Sequence, residues 1–179
     1  LSPDHKSIMN NLIERHTAMP VFMVEDAMPI EADSIYLIPP GSVMHVLPGH
    51  LHLTPKGAHG LILPIDIFFN SLAEVYGRHA VGIVLSGTGT DGTRGATAIN
   101  TAGGFLMVQE PESAKFDGMP RSAIATGIID AVLPAEDIPA RLLAHIRNLP
   151  VNLPELPSMR TTALSELSNS EAMTAIQHL

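Results

Sequence analysis

The feature that most constrains the fold is a short apolar run that leads directly into a glycine-rich loop. Residues 80–85 read A-V-G-I-V-L, residues 86–92 read S-G-T-G-T-D-G, and apolar residues then recur at helical spacing. A strand, a glycine loop and a helix in this order form the core of an α/β unit whose strand is buried on both faces. Ligands and catalytic groups of such sheets lie at the carboxyl ends of the strands. We therefore expect chemistry in the glycine loop, residues 86–92, where Asp91 is the only charged side chain.

Strand and helix signals alternate along the rest of the chain. Strands alternating with helices predict a mainly parallel sheet covered on both faces, and two apolar runs around Pro48-Gly49 predict a β-hairpin. The sequence thus predicts an α/β fold: a three-layer, doubly wound, mainly parallel sheet with a β-hairpin. The predicted strands lie at 21–24, 35–38, 44–47, 51–54, 80–85, 105–108 and 129–133, and the predicted helices at 3–16, 64–76, 93–102, 121–126 and 135–148.

Proline spacing divides the chain into three parts. Residues 1–148 carry the alternating pattern and form the predicted domain. Residues 149–162 are a Pro-rich linker, and residues 163–179 are a candidate helix leading into a further domain. The sequence begins on Leu1 rather than Met, so we expect it to be a piece of a longer protein.

Composition excludes several function classes. The 179 residues carry a net charge of −8 and no cysteine, which argues against a nucleic-acid partner and excludes thiolate and disulfide chemistry. No apolar run approaches the roughly 20 residues of a membrane-spanning helix. No export signal stands at the start, so we expect a cytoplasmic protein without membrane insertion.

The glycine loop has two functional interpretations. Residues 87–92 satisfy the G-x-G-x-x-G dinucleotide fingerprint between a strand and a helix, and Glu110 ends the next strand. That fingerprint binds a pyrophosphate at the positive end of the helix, where the carboxylate of Asp91 would compete with it. Alternatively, Asp91 orients a histidine in a serine hydrolase, while the small loop residues let backbone N–H groups form an oxyanion hole. The structural alternative is that Asp91 only caps the helix that begins near Thr93.

The histidines have a weak metal-binding interpretation. His45, His50 and His52 fall around the predicted hairpin turn, and His50 and His52 share a face. The ligand spacings typical of zinc sites are absent and no carboxylate is near in sequence. We expect solvent-exposed hairpin residues and no metal site.

Several motifs together resemble the chemotaxis receptor methylesterase family (CheB-type). The resemblance runs from Leu1 to about His145. It is carried by L-S-G-T-G-T-D-G at 85–92, G-G at 103–104, V-Q-E-P-E-S-A at 108–114, F-D-G-M-P-R-S-A-I at 116–124 and I-Y-L-I-P-P-G at 35–41.

The resemblance implies a Ser-His-Asp triad on a parallel α/β sheet that needs no metal or cofactor. Asp91 matches the family's triad aspartate, and Thr88 matches a position whose backbone N–H helps to form the oxyanion hole. It also implies that the family's serine, histidine and first strand-helix-strand lie upstream of Leu1. The remaining predicted site residues belong to active-site loops: Gly87, Gly89, Gly92, Met119 and Pro120.

The resemblance further implies a substrate and partners. Family members hydrolyse glutamyl methyl esters on the cytoplasmic helices of chemoreceptors, and some also deamidate glutamine. Residues 171–179 and Asp117 are similar to proteins in which the methylesterase is fused to a receptor methyltransferase. The alternative from another class is a non-catalytic module that docks receptor tails. A dinucleotide-binding domain is the third interpretation.

Overall fold

A three-stranded parallel sheet carries the glycine loop. The protein is represented by a computed structural model, which describes residues 8–57 and 62–148. The strands β6 (Val81–Val84), β7 (Phe105–Gln109) and β8 (Ala131–Leu133) lie side by side in chain order. The helices that follow them are α3 (Thr93–Thr101), α4 (Gly118–Ile124) and α5 (Ile138–Asn148). The strand, glycine loop and helix predicted from residues 80–102 are therefore present.

Helices cover both faces of this sheet. All five residues of β7 are buried, because alternate side chains enter two different cores. On one face Leu106 and Val108 pack with Ile99 of α3. On the other face Phe105 and Met107 pack with α5. The three-layer α/β arrangement predicted from the sequence is confirmed.

The hairpin and its helix form a second unit beside the sheet. The strands β4 (Ser42–Leu47) and β5 (His50–Pro55) are antiparallel, and β2 (Met28–Pro29) pairs with the outer edge of β5. The helix α2 (Pro64–Tyr76) has the bounds predicted from its amphipathic pattern and contacts both β4 and α3. It thereby links the hairpin to the parallel sheet.

A second parallel pair lies apart from the first sheet. The strands β1 (Val21–Met23) and β3 (Ile35–Leu37) follow α1 (Ile8–Glu14) and pair with each other. Within residues 8–57 and 62–148, no strand joins this pair to β6, and β6 pairs only with β7. A largely apolar cavity of about 390 Å³ is lined by Tyr36 of β3, Val81 of β6 and side chains of the hairpin and α2.

Some predicted boundaries are wrong for identifiable reasons. The helix α4 begins at Gly118 rather than near residue 121, since proline is tolerated in the first turn of a helix. The helix α5 and the strand β8 begin two to three residues later than predicted. Strand β2 was not predicted, because it is only two residues long and one of them is Pro29. Proline occurs in sheets only at edges, strand starts and bulges, so it gives no strand signal. The predicted linker at 149–162 and helix at 163–179 lie outside the described residues.

The lengths and apolar character of the helices determine whether any of them could cross a membrane. None of the helices in the described part of the chain has the length and apolar character needed to cross a bilayer.

Candidate functional site

The glycine loop at 86–92 is held against the segment 116–122, which leads into α4 and includes its first residues. The backbone N–H of Gly87 donates to the carbonyl of Phe116 at 2.9 Å, and that of Met119 donates to the carbonyl of Gly87 at 2.9 Å. The Ser122 hydroxyl donates to the Gly118 carbonyl at 2.8 Å and also lies 3.2 Å from the carbonyl of Gly89. The structure therefore brings the glycine loop and the segment 116–122 together, at the carboxyl ends of β6 and β7. Met119 and Pro120, predicted in an active-site loop, lie instead in the first turn of α4, where proline is tolerated.

Close packing explains the small residues in these two segments. A Cβ atom at Gly87 would lie 2.3 Å from the Met119 sulfur, and one at Gly118 would lie 3.2 Å from the Gly89 nitrogen. Gly89 has a φ of 90°, which favours glycine. Pro120, in the first turn of α4, is fully buried. Gly92, with a φ of 93°, directly precedes α3.

Thr88 lies at the exposed tip of the glycine loop. Its backbone N–H has no hydrogen-bond partner within residues 8–57 and 62–148. A backbone donor of this kind is available to an oxyanion.

The Asp91 carboxylate lies at the N-terminus of α2. Its Oδ2 accepts the backbone N–H of Ile65 at 3.1 Å and its Oδ1 accepts that of Asp66 at 2.9 Å. A capping side chain normally supplies these bonds, but the preceding residue, Leu63, cannot. The alternative that Asp91 caps the helix beginning near Thr93 is wrong, because the N-cap of α3 is Gly92 and the Asp91 carboxylate is bonded to α2. Asp91 is half-buried, and each carboxylate oxygen keeps a lone pair for a further donor.

Asp66 makes the reciprocal contact. Its Oδ1 accepts the backbone N–H of Gly95, in the first turn of α3, at 2.8 Å. The residue is only 5% exposed. Each of the two helices thus takes its cap from an aspartate associated with the other. Asp66 was not predicted as a site residue. An acidic residue two positions after Pro64 signals a helix start but does not reveal a partner 29 residues away.

Gly95 allows α2 and α3 to approach this closely. A Cβ atom there would lie 2.4 Å from Cβ of Phe69 and 3.0 Å from the backbone oxygen of Asp66. We expect Gly95→Ala to lower the free energy of unfolding by about 1–3 kcal/mol, because an added methyl group forces the helices apart. Thr97→Ala, on the exposed side of α3, should change it by less than about 0.5 kcal/mol. Urea denaturation of both variants tests this, and a Gly95→Ala variant as stable as the Thr97→Ala control would contradict the close-packing account.

The arrangement is unsuited to a dinucleotide. A pyrophosphate would need the free N–H groups at the start of α3. The buried carboxylate of Asp66 already occupies the Gly95 N–H, and Asp91 lies beside the same turn. Two carboxylates at this position would repel a bound phosphate.

The serine nearest to Asp91 in sequence, Ser86, is hydrogen-bonded to residues other than Asp91. The Ser86 hydroxyl accepts the backbone N–H of Phe116 at 3.0 Å, and the Ser86 N–H donates to the side-chain oxygen of Gln109 at 2.9 Å. No histidine of the described ranges is bonded to Ser86. The other serines considered, Ser2 and Ser7, lie outside the described residues. The described part of the site therefore contains an acid but no serine-histidine pair at the glycine loop.

The hairpin histidines lie on one face of the β4–β5 pair. His45 and His52 are directly opposite each other, with ring centroids 6.3 Å apart, and His50 is exposed at the turn. The expectation that no carboxylate is near holds only in sequence, because Asp26 approaches His52 to 2.6 Å. The backbone N–H of Leu53, together with His52, lowers the pKa of Asp26 below its usual value. The described ranges hold no group of three or more His, Asp or Glu side chains arranged to bind a metal ion.

These features define a class of protein. The chain folds as an α/β domain with a parallel sheet, and an aspartate lies in a glycine loop at the carboxyl end of one strand. This is where α/β enzymes place catalytic groups.

Comparison with known proteins identifies the family. The family model described as CheB methylesterase matches residues 1–142. The crystal structure of the Thermotoga maritima CheB methylesterase catalytic domain superposes with a TM-score of 0.72 at 25% identity, covering 81% of this chain and 79% of that one. The chain belongs to the CheB methylesterase family, as its motifs indicated.

Curated relatives are longer than this chain. A protein-glutamate methylesterase/protein-glutamine glutaminase of Bordetella parapertussis is 36% identical in an alignment 123 residues long, which covers 56% of this chain and 35% of that protein. A Myxococcus xanthus protein of the same name is 37% identical, covering 57% and 36%. An uncharacterized 104.1 kDa protein of Rhodobacter capsulatus is 55% identical over 130 residues, 73% of this chain but only 14% of that protein.

Proposed function

We propose that this chain is the acid-bearing part of a protein-glutamate methylesterase that acts on the cytoplasmic helices of methylated chemoreceptors. The observation that carries the proposal is the Asp91 carboxylate. Two backbone N–H groups fix it at the carboxyl end of β6, and each oxygen keeps a free lone pair. Family membership supports a methylesterase role.

In this proposal the nucleophilic serine and the histidine come from sequence upstream of Leu1. Asp91 accepts the Nδ1–H of the histidine, holds the ring in the reactive tautomer and stabilises the imidazolium. The histidine takes the serine proton as the hydroxyl attacks the ester carbonyl, and returns that proton to the leaving methanol. Water then hydrolyses the acyl-enzyme by the same steps in reverse. The same machinery would release ammonia from a glutamine side chain.

The oxyanion of the tetrahedral intermediate needs a preorganised donor. The backbone N–H of Thr88, exposed in the glycine loop, is the proposed donor. The packing of Gly87 on Met119 and the burial of Pro120 hold that loop in place. No metal or cofactor takes part in this scheme, and the protein would work in the cytoplasm.

A larger parent protein is consistent with the relatives. The Rhodobacter capsulatus protein has a mass of 104.1 kDa, of which this chain spans 14%. We propose that residues 1–148 form the methylesterase domain and that residues 149–162 link it to a further module, with a receptor methyltransferase as the proposed neighbour.

A second function is favoured by the absence of a serine-histidine pair at the described glycine loop. A domain with Asp91 alone would bind receptor tails without turnover. Methanol release from a methylated chemoreceptor peptide by the full-length gene product separates the two. Turnover supports the esterase; saturable peptide binding without methanol release supports the docking module and overturns the esterase proposal.

A further inference from the structure

We propose that Asp66 is a positioning residue for Asp91: by tying the start of α2 to the start of α3, it fixes the carboxylate that orients the catalytic histidine. The inference rests on the proposed function and extends it to a residue outside the glycine loop and the segment 116–122. The bond that carries it is Asp66 Oδ1 to the backbone N–H of Gly95, at 2.8 Å.

Asp91 lies between the two helix starts. It directly precedes Gly92, the N-cap of α3, so its backbone moves with that helix. Its carboxylate, however, is held by Ile65 and Asp66 of α2. The orientation of the carboxylate therefore depends on how α2 and α3 sit relative to each other.

Asp66 fixes the position of α2 relative to α3. Its backbone N–H holds Asp91 while its own side chain holds Gly95, and the close approach of Gly95 to Phe69 adds a steric limit. The side chain is 5% exposed, so water cannot readily replace the bond. Its second oxygen, Oδ2, is buried without a hydrogen-bond partner within residues 8–57 and 62–148. The Asp66 side chain is therefore bonded to α3 through a single hydrogen bond.

Loss of that bond should act on turnover more than on substrate binding. A displacement of about 1 Å in a catalytic group can cost about 100-fold in rate. In the full-length gene product we expect Asp66→Ala to lower kcat for methanol release about 10- to 100-fold, with KM within about twofold of wild type. Asp66→Asn should restore kcat to within about threefold, because its amide oxygen can accept the Gly95 N–H and its NH₂ group falls where the wild-type oxygen already has no partner.

A control variant at a second aspartate separates positioning from loss of stability. The Asp130 carboxylate accepts the backbone N–H of Leu106, also at 2.8 Å, but at the opposite end of the parallel sheet. Asp130→Ala should destabilise the fold by about 1 kcal/mol and leave kcat within about twofold. A kcat that falls equally in Asp66→Ala and Asp130→Ala would overturn the inference.

A double-mutant cycle tests whether Asp66 acts through Asp91. In the Asp91→Asn background, Asp66→Ala should lower the residual kcat by less than about threefold, since nothing remains to be positioned. An unreduced effect in that background, or a kcat for Asp66→Ala within twofold of wild type, overturns the positioning role. If Asp66→Ala does not fold, Asp66→Ser, one atom too short for the Gly95 bond, takes its place in the cycle. A kcat for Asp91→Asn near wild type would instead refute the proposed function itself, together with this inference.

Discussion

Replacing Asp91 with asparagine is expected to lower kcat for methyl-ester hydrolysis by the full-length gene product about 10⁴-fold, the loss seen when a triad acid of a serine protease is changed in this way. The amide would hold the histidine in the wrong tautomer and would not stabilise the imidazolium. KM should change little, because Asp91 lies behind the histidine and not against the substrate. Methanol release under saturating methylated peptide measures the effect.

Folding must be followed alongside activity, because Asp91 also caps α2. Asparagine can accept only one of the two N–H groups of Ile65 and Asp66, and a lost cap costs about 1 kcal/mol. Asp130→Asn makes the same chemical change at the amino end of β7 and should keep full activity. If the kcat of Asp91→Asn lies within threefold of wild type, Asp91 is only a helix cap and does not orient a catalytic histidine.

The isolated polypeptide 1–179 is expected to release no methanol from a methylated receptor peptide, whereas the full-length gene product does. An orienting acid supplies neither a nucleophile nor a base. Even with the glycine loop and Asp91 correctly folded, this polypeptide would lack the groups that carry out the reaction. Parallel assays at equal protein concentration measure the difference.

The same polypeptide is expected to self-associate. In the described ranges β6 has one edge without a neighbouring strand, and Leu85 at its end is 49% exposed. An open strand edge pairs readily with another chain. Light scattering after size exclusion should show species above 19.1 kDa, which supplying the upstream segment should reduce to monomer. A monodisperse, esterase-active monomer of residues 1–179 would contradict both expectations.

Local sequence signals predicted most of the fold. Glycine loops, proline breaks and apolar periodicity depend on neighbouring residues, and they located α2 with its observed bounds and the parallel β6–β7–β8 unit. Boundaries shifted where a short element had no strong stop signal. The late starts of α5 and β8 are examples. Strand β2 was not predicted at all, since two residues that include Pro29 carry no pattern.

The site was predicted less completely, because its contacts join distant parts of the chain. Position in the glycine loop singled out Asp91, but its partners lie 25 and 26 residues earlier. A capping role for Asp91 was anticipated, yet for the wrong helix. The bond from the Gly95 N–H to Asp66 likewise arises only when α2 and α3 pack together. The approach of Asp26 to His52 arises only when the segment before β2 packs on β5.

A structure of the full-length gene product tests the central claim most directly, through the distance between the Asp91 carboxylate and the nearest histidine. The account predicts that a histidine encoded upstream of Leu1 places Nδ1 about 2.6–3.2 Å from an Asp91 oxygen, while its Nε2 faces a serine hydroxyl. The bonds from Ile65 and Asp66 to Asp91 should persist in that structure. A histidine-free environment around Asp91, with the carboxylate bonded only to α2, would contradict the account.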